Sequence, residues 1–167
     1  MGAVISIAVA MDEARGIGRA EALPWRLKSD LALFKANTVG KTVLMGRATA
    51  NAIGRTLPNR RNLVLSRRSD PVYPGQELVH SLDEALTMAH EELVVIGGGQ
   101  VYAQVLPLAS RIYLTQVHAV CNADTYFPEL RWNEYSITEE QQYPAGPGDE
   151  YAFTYRVLER LAAPTTP

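Results

Sequence analysis

What most restricts how this chain can fold is a series of short, uninterrupted apolar runs spread over nearly its whole length. Residues 3–11, 42–45, 62–66, 93–96 and 111–117 are rich in Val, Ile and Leu and carry little polar alternation. Runs of this kind are strands covered on both faces, as in a parallel sheet. Helical patterns lie between them, over 27–37, from a Ser81-Leu82-Asp83-Glu84 capping box to about Ala89, and over 100–106 up to Pro107. The alternation predicts an α/β fold: a central, mostly parallel twisted sheet flanked by helices. Segments 134–139 and 151–158 alternate like half-exposed strands around Pro144-Ala145-Gly146-Pro147-Gly148, which adds a C-terminal antiparallel hairpin. Residues 1–161 read as one domain and 162–167 as a flexible tail.

Composition narrows the function. With 167 residues, the chain can bury a sizeable core. A net charge of −2 with no run of one sign speaks against a nucleic-acid or membrane-surface partner. Cys121 is the only cysteine, so no internal disulfide forms and a cytoplasmic location is expected. His80, His90 and His118 lack metal-ligand spacing, so no metal is expected. The apolar stretch 3–11 is too short to span a bilayer and follows Met1-Gly2 without basic residues; it reads as a first strand rather than a leader.

Several constellations carry chemistry. Leu27, Leu31 and Phe34 form an apolar stripe on the first helix, and Asp30 falls on the same stripe. A carboxylate there is desolvated, which raises its pKa. It either caps the first turn, in competition with Ser29, or meets a cationic or amide-like ligand. Ile96-Gly97-Gly98-Gly99-Gln100-Val101-Tyr102 runs from a strand through three glycines into a helix, where missing β-carbons let a phosphate approach backbone N–H groups. Gly46-Arg47-Ala48-Thr49 is a second strand-to-helix turn, with Arg47 as a charged partner. Ser66-Arg67-Arg68 follows another strand and suits a phosphomonoester such as the 2′-phosphate of NADP. Arg60 could grip a carboxylate. Gly16-Ile17-Gly18 lacks the third glycine of a nucleotide fingerprint and reads as a flexible loop.

Taken together these segments resemble dihydrofolate reductase over roughly residues 4–160. The anchors occur in family order: Gly16-Ile17-Gly18, Leu23-Pro24-Trp25, Asp30-Leu31-Ala32-Leu33-Phe34-Lys35, Val43-Leu44-Met45-Gly46-Arg47, Leu57-Pro58-Asn59-Arg60, the triple-glycine segment, and Asp124-Thr125-Tyr126-Phe127-Pro128. The resemblance implies NADPH-dependent reduction of 7,8-dihydrofolate by hydride transfer to C6 and protonation of N5, in a monomer. The alternatives are a related pterin or pyrimidine reductase and a non-catalytic NADPH- or folate-binding protein. By resemblance Asp30 is the ionisable group of the pterin pocket, Thr115 supports it, Trp25 walls the pterin side through a bridging water, and Leu23 takes the place of a lid methionine. Dihydrofolate would meet Ala8, Val9, Ala10, Leu31, Phe34, Lys35, Ile53, Leu57, Arg60, Ile96 and Tyr102. NADPH would meet Ala10, Ile17, Gly18, Gly46, Arg47, Ala48, Thr49, Leu65, Ser66, Arg67, Ile96, Gly97, Gly98, Gly99, Gln100, Val101, Tyr102 and Thr125. The resemblance also implies a cis peptide at Gly97-Gly98 and a contact from Asp124 to a lid spanning Gly16 to Leu23.

Overall fold

The seven expected strands and one unexpected strand assemble into an eight-stranded sheet in the order Gln76–Val79, Arg61–Leu65, Thr42–Gly46, Glu92–Gly97, Val4–Met11, Arg111–Val117, Phe153–Arg160, Tyr135–Tyr143. The computed structural model describes residues 3–18 and 23–161; the expected tail and the middle of the expected lid lie outside them. The strands are β1 (Val4–Met11), β3 (Thr42–Gly46), β4 (Arg61–Leu65), β5 (Gln76–Val79), β6 (Glu92–Gly97), β7 (Arg111–Val117), β9 (Tyr135–Tyr143) and β10 (Phe153–Arg160). The first six are mutually parallel. β10 runs antiparallel to both β7 and β9 and closes the sheet with the predicted hairpin.

Alternation along each buried strand feeds two cores. Ile5, Ile7, Leu44, Leu93, Val95, Ile112 and Leu114 face one side, under α3 (Leu82–Met88) and α4 (Gly99–Val105). Ala8, Val43, Met45, Val94 and Tyr113 face the other, under α1 (Lys28–Thr38) and α2 (Arg47–Ile53). Continuous apolar runs are therefore needed, because neither face of the central strands meets solvent.

Several local expectations change. The chain between β4 and α3 contains the edge strand β5, which carries only four residues, two of them polar, and gave no periodic signal. Gly16-Ile17-Gly18 is a strand, β2, paired with β8 (Thr125–Tyr126), not a free loop. Ser81 caps α3 by accepting the Glu84 N–H at 3.0 Å, but Glu84 reaches back to the His80 N–H, at 2.7 Å, one residue before the cap. Pro107 does not end the helical stretch: α4 passes into a 3₁₀ turn, Leu106–Leu108, that contains it.

The first helix departs most from the amphipathic reading. Leu31 is 59% exposed, and Thr38 is the one buried residue of α1. The apolar stripe is divided: Leu27 is buried in the core under α1 and Phe34 packs against that core, while Leu31 overlooks an open cleft. Neither Asp30 nor Ser29 caps α1. Leu27 occupies the cap position and offers no side-chain bond. Asp149, from the hairpin loop, does the work: it accepts the Ser29 backbone N–H at 2.9 Å and the Ser29 hydroxyl at 2.6 Å.

Candidate active site

A cleft of about 2030 Å³ opens along the carboxyl ends of β1, β3, β4 and β6. Ligands of parallel α/β sheets bind at that edge because strand-to-helix turns expose N–H groups there. A single small-molecule pocket holds roughly 300–1,000 Å³, so this cleft has room for two ligands lying together. Of the residues expected at a site, all line it except Trp25. Trp25 is 5% exposed and packs into the core cluster beneath α1, with its indole N–H buried and without a protein partner. It stands behind the wall, a position from which the resemblance has it act through a bridging water.

One end of the cleft is built around Asp30. The first turn of α1 carries the carboxyl toward β7, where the Thr115 hydroxyl donates to Oδ1 at 2.6 Å. Thr115 points to this face because it lies two residues from Tyr113, and it pairs across the ladder with Tyr155. Burial raises the Asp30 pKa; the Thr115 bond opposes that shift, and the Asp149 charge adds to it. The contrast with Glu92 is informative. Glu92 is also desolvated, yet it accepts from Ser6 at 2.6 Å and Tyr113 at 2.7 Å and pairs with Lys41 at 2.8 Å. Those partners hold its pKa below the ordinary value in spite of burial. Glu92 is a satisfied structural acid; among the described residues Asp30 has one hydrogen-bond partner, and a cavity lies in front of it. Leu31, Phe34 and Ile53 line the same end.

Arg60 sits farther along. Its guanidinium donates to the Pro58 carbonyl at 2.9 Å and the Thr38 hydroxyl at 3.0 Å, which ties it to the end of α1. Asn62 supports this turn from below. It is fully buried, accepts the Leu57 N–H at 2.8 Å, and donates to the Leu57 and Arg60 carbonyls at 2.9 Å each.

The other end is the glycine turn. The Gly97-Gly98 peptide is cis, and Gly97 has φ +138°, a conformation open to glycine. A Cβ at Gly98 would project to 3.3 Å from the Thr49 hydroxyl, so the missing side chains leave a shallow cradle bounded by Thr49. The Tyr102 hydroxyl donates to the Ala8 carbonyl at 2.8 Å, locking α4 to β1. Ser66, Arg67 and Arg68 complete a polar wall at the end of β4. Arg47 lines the cleft and is held there by the backbone of the next loop. It donates to the carbonyls of Pro71 at 2.8 Å and Asp70 at 3.0 Å, and so braces the loop after Arg68. A glycine cradle joined to a hydroxyl-and-guanidinium wall fits a dinucleotide with an extra phosphate.

Sequence reasoning missed Tyr113 and Tyr155, which line the cleft beside Thr115, and His80 to Asp83 near Ser66. The two tyrosines follow from strand register once Thr115 is placed. The 80–83 segment follows only from β5, which pairs Val79 with Leu65. Among the described residues no cluster of three His, Cys, Asp or Glu could hold a metal, and no helix is long and apolar enough to cross a membrane.

The comparisons agree with this geometry. Residues 4–160 match the family model described as dihydrofolate reductase. The chain is 44% identical to dihydrofolate reductase type 3 of Salmonella typhimurium over 94% of its own length and 98% of the relative's. It is 37% identical to dihydrofolate reductase of Bacillus subtilis (strain 168), over 94% and 95%. Among solved structures, dihydrofolate reductase from Enterococcus faecalis complexed with NADP(H) and RAB-propyl superposes with a TM-score of 0.89 at 30% identity, covering 97% of this chain and 100% of that one.

Replacing Asn62 with Ala strands one buried N–H and two carbonyls. It should lower the unfolding free energy by about 2–3 kcal/mol in urea titrations. It should also weaken dihydrofolate binding more than NADPH binding, because Arg60 loses its support.

Proposed function

The chain belongs to the dihydrofolate reductase family and reduces 7,8-dihydrofolate to 5,6,7,8-tetrahydrofolate with NADPH, and we propose that Asp30 governs the proton half of that reaction. The observation that carries the proposal is a desolvated carboxyl with a single protein bond, from Thr115, in the wall of a two-ligand cleft. In this reading Asp30 bonds the 2-amino group and N3 of the pterin. The Thr115 bond fixes the plane of the carboxyl, so one geometry serves every turnover. Leu31, Phe34 and Ile53 hold the ring and keep bulk water from its faces, while Arg60 takes the glutamate α-carboxylate. Asp30 promotes transfer of a proton from water to N5, which makes C6 a better acceptor.

The glycine turn, Thr49, Ser66 and Arg67 would hold NADPH, which supplies the hydride taken up at C6. Ile96, Ala10 and Tyr102 separate the two ends and orient the faces that must meet. Every residue of this scheme comes from one chain, so the working unit is proposed as a monomer of one domain, residues 1–161. The single cysteine supports a cytoplasmic setting. A purely binding role is not favoured, since a binder has no need of a desolvated acid with a raised pKa at the pterin end.

Asp30→Asn should keep the shape and lose about 10²–10⁴ in kcat at neutral pH, measured by nicotinamide oxidation. In the wild type the rate should fall as pH rises through the raised Asp30 pKa, since the proton that Asp30 helps water deliver to N5 is lost there; Asp30→Asn should lack that limb. Stability runs the other way. A raised carboxyl pKa makes the ionised form costly when folded, and the cost grows as pH rises from the unfolded carboxyl value through the folded one. Asp30→Asn should therefore raise Tm at pH 8, by about 2–4 °C per kcal/mol relieved, and the gain should vanish near pH 4.

Arg67→Gln and Ser66→Ala test the cofactor end. Each should raise the KM for NADPH by about 10–100-fold, the equivalent of one charge-assisted hydrogen bond of about 1.5–3 kcal/mol. The KM for NADH, which has no 2′-phosphate, should move by less than about threefold by the same reckoning.

A further inference from the structure

Asp12 is a buried acid that the reaction scheme leaves unused. It is 1% exposed and, among the described residues, pairs with no Lys or Arg. An acid so placed is costly unless its oxygens are saturated with donors, and here backbone amides saturate them. Oδ1 accepts the N–H groups of Ala14 at 2.9 Å and Gly16 at 2.6 Å, and Oδ2 accepts the N–H of Cys121 at 3.0 Å. The backbone of Asp12 is held as firmly: its N–H donates to the Gly16 carbonyl at 2.9 Å, and its carbonyl accepts from Gln116 at 3.0 Å. One carboxylate thus joins the end of β1, the start of β2 and the segment after β7.

What those segments carry gives the arrangement its meaning. Gly16 packs so closely on the 119–124 segment that a Cβ would lie 2.4 Å from that of Ala123. Gly18 accepts the Asp124 N–H at 2.8 Å, and β2 pairs with β8. Ile17 and Thr125, one from each strand, then abut the glycine turn: a Cβ on Gly99 would meet Thr125 Cγ2 at 3.1 Å and Ile17 Cδ1 at 4.0 Å. Both line the cleft beside Gly97, Gly98 and Gly99.

We propose that Asp12 is a positioning residue for the cofactor half of the site: it pins β2 to the 119–126 segment and so seats Ile17 and Thr125 against the Gly97–Gly99 turn. It touches neither ligand and acts through the two strands. Its influence is directional, because Asp30, Phe34 and Arg60 hang on α1 and the 57–62 turn, to which Asp12 makes no hydrogen bond among the described residues. The inference rests on NADPH occupying the glycine turn.

Asp12→Asn keeps the shape but turns one acceptor into a donor that faces a backbone N–H. Gly16→Ala reaches the same joint from the other side, by wedging a Cβ against Ala123, and decides the question if Asp12→Asn does not fold. Each variant should raise the Kd for NADPH, read by fluorescence titration, by about tenfold, and enlarge the deuterium isotope effect on turnover at saturating NADPH. The Kd for dihydrofolate should stay within about twofold. Folded variants with an unchanged NADPH Kd and isotope effect, or with both ligands weakened equally, would overturn the role of Asp12. The cofactor placement is checked separately in the wild type: NADPH should slow amide exchange at Gly97, Gly98 and Gly99. Exchange there that ignores NADPH overturns the placement whatever the variants do.

Discussion

The functional geometry depends on the hydrogen bond that crosses from β7 to α1, from the Thr115 hydroxyl to Asp30 Oδ1 at 2.6 Å. A desolvated carboxyl with no partner would be expelled to solvent or neutralised in place. With several partners, as Glu92 has, it would be a structural ion with nothing left to offer a ligand. One bond is the intermediate case. It fixes the direction of the carboxyl while leaving burial as the larger influence on its proton.

The fold maintains that condition from a distance. Helix α1 buries little of itself and supplies no cap of its own, so its position is set by what holds its two ends. Asp149 accepts twice from Ser29 at the start, and the Lys28 N–H donates to the Gly148 carbonyl at 2.8 Å. At the far end the Thr38 hydroxyl bonds the Phe34 carbonyl and receives Arg60. The C-terminal hairpin and the turn before β4 therefore position the acid and the substrate-gripping arginine. A helix that packed fully into the core would need fewer tethers, but its apolar side would then be closed to a ligand.

Much of this was legible in the sequence because buried parallel strands announce themselves. The central strands are rich in Val, Ile and Leu and interrupted by few polar residues, so their places and their approximate ends could be read directly, and the glycine turn followed from the strand before it. Asp30 could be singled out because an acid on an apolar stripe breaks the local pattern. What was not legible depended on partners remote in sequence. Nothing near Ser29 indicates that Asp149, 120 residues away, caps its helix. Strand β5 is short, half polar and at the sheet edge, so it carries no period. Gly16-Ile17-Gly18 becomes a strand only by pairing with Thr125–Tyr126. Arg47 sits after a strand, as a phosphate ligand should, but that the loop after β4 folds back and accepts from its two terminal nitrogens was not visible in the sequence. Trp25 stands next to wall residues in sequence while its ring turns into the core.

The central claim is that burial, opposed by one bond, keeps the Asp30 proton above the ordinary carboxyl range. The most direct measurement is a pH titration of the folded, ligand-free protein with ¹³C-labelled aspartate, following the Asp30 carboxyl carbon by NMR and assigning it with Asp30→Asn. The account predicts a midpoint above the ordinary aspartate value of 3.8, and a downward shift when Asp149 is changed to Asn. A midpoint at or below 3.8 would mean that Asp30 is a solvated or fully partnered acid, and the account of the site would fail.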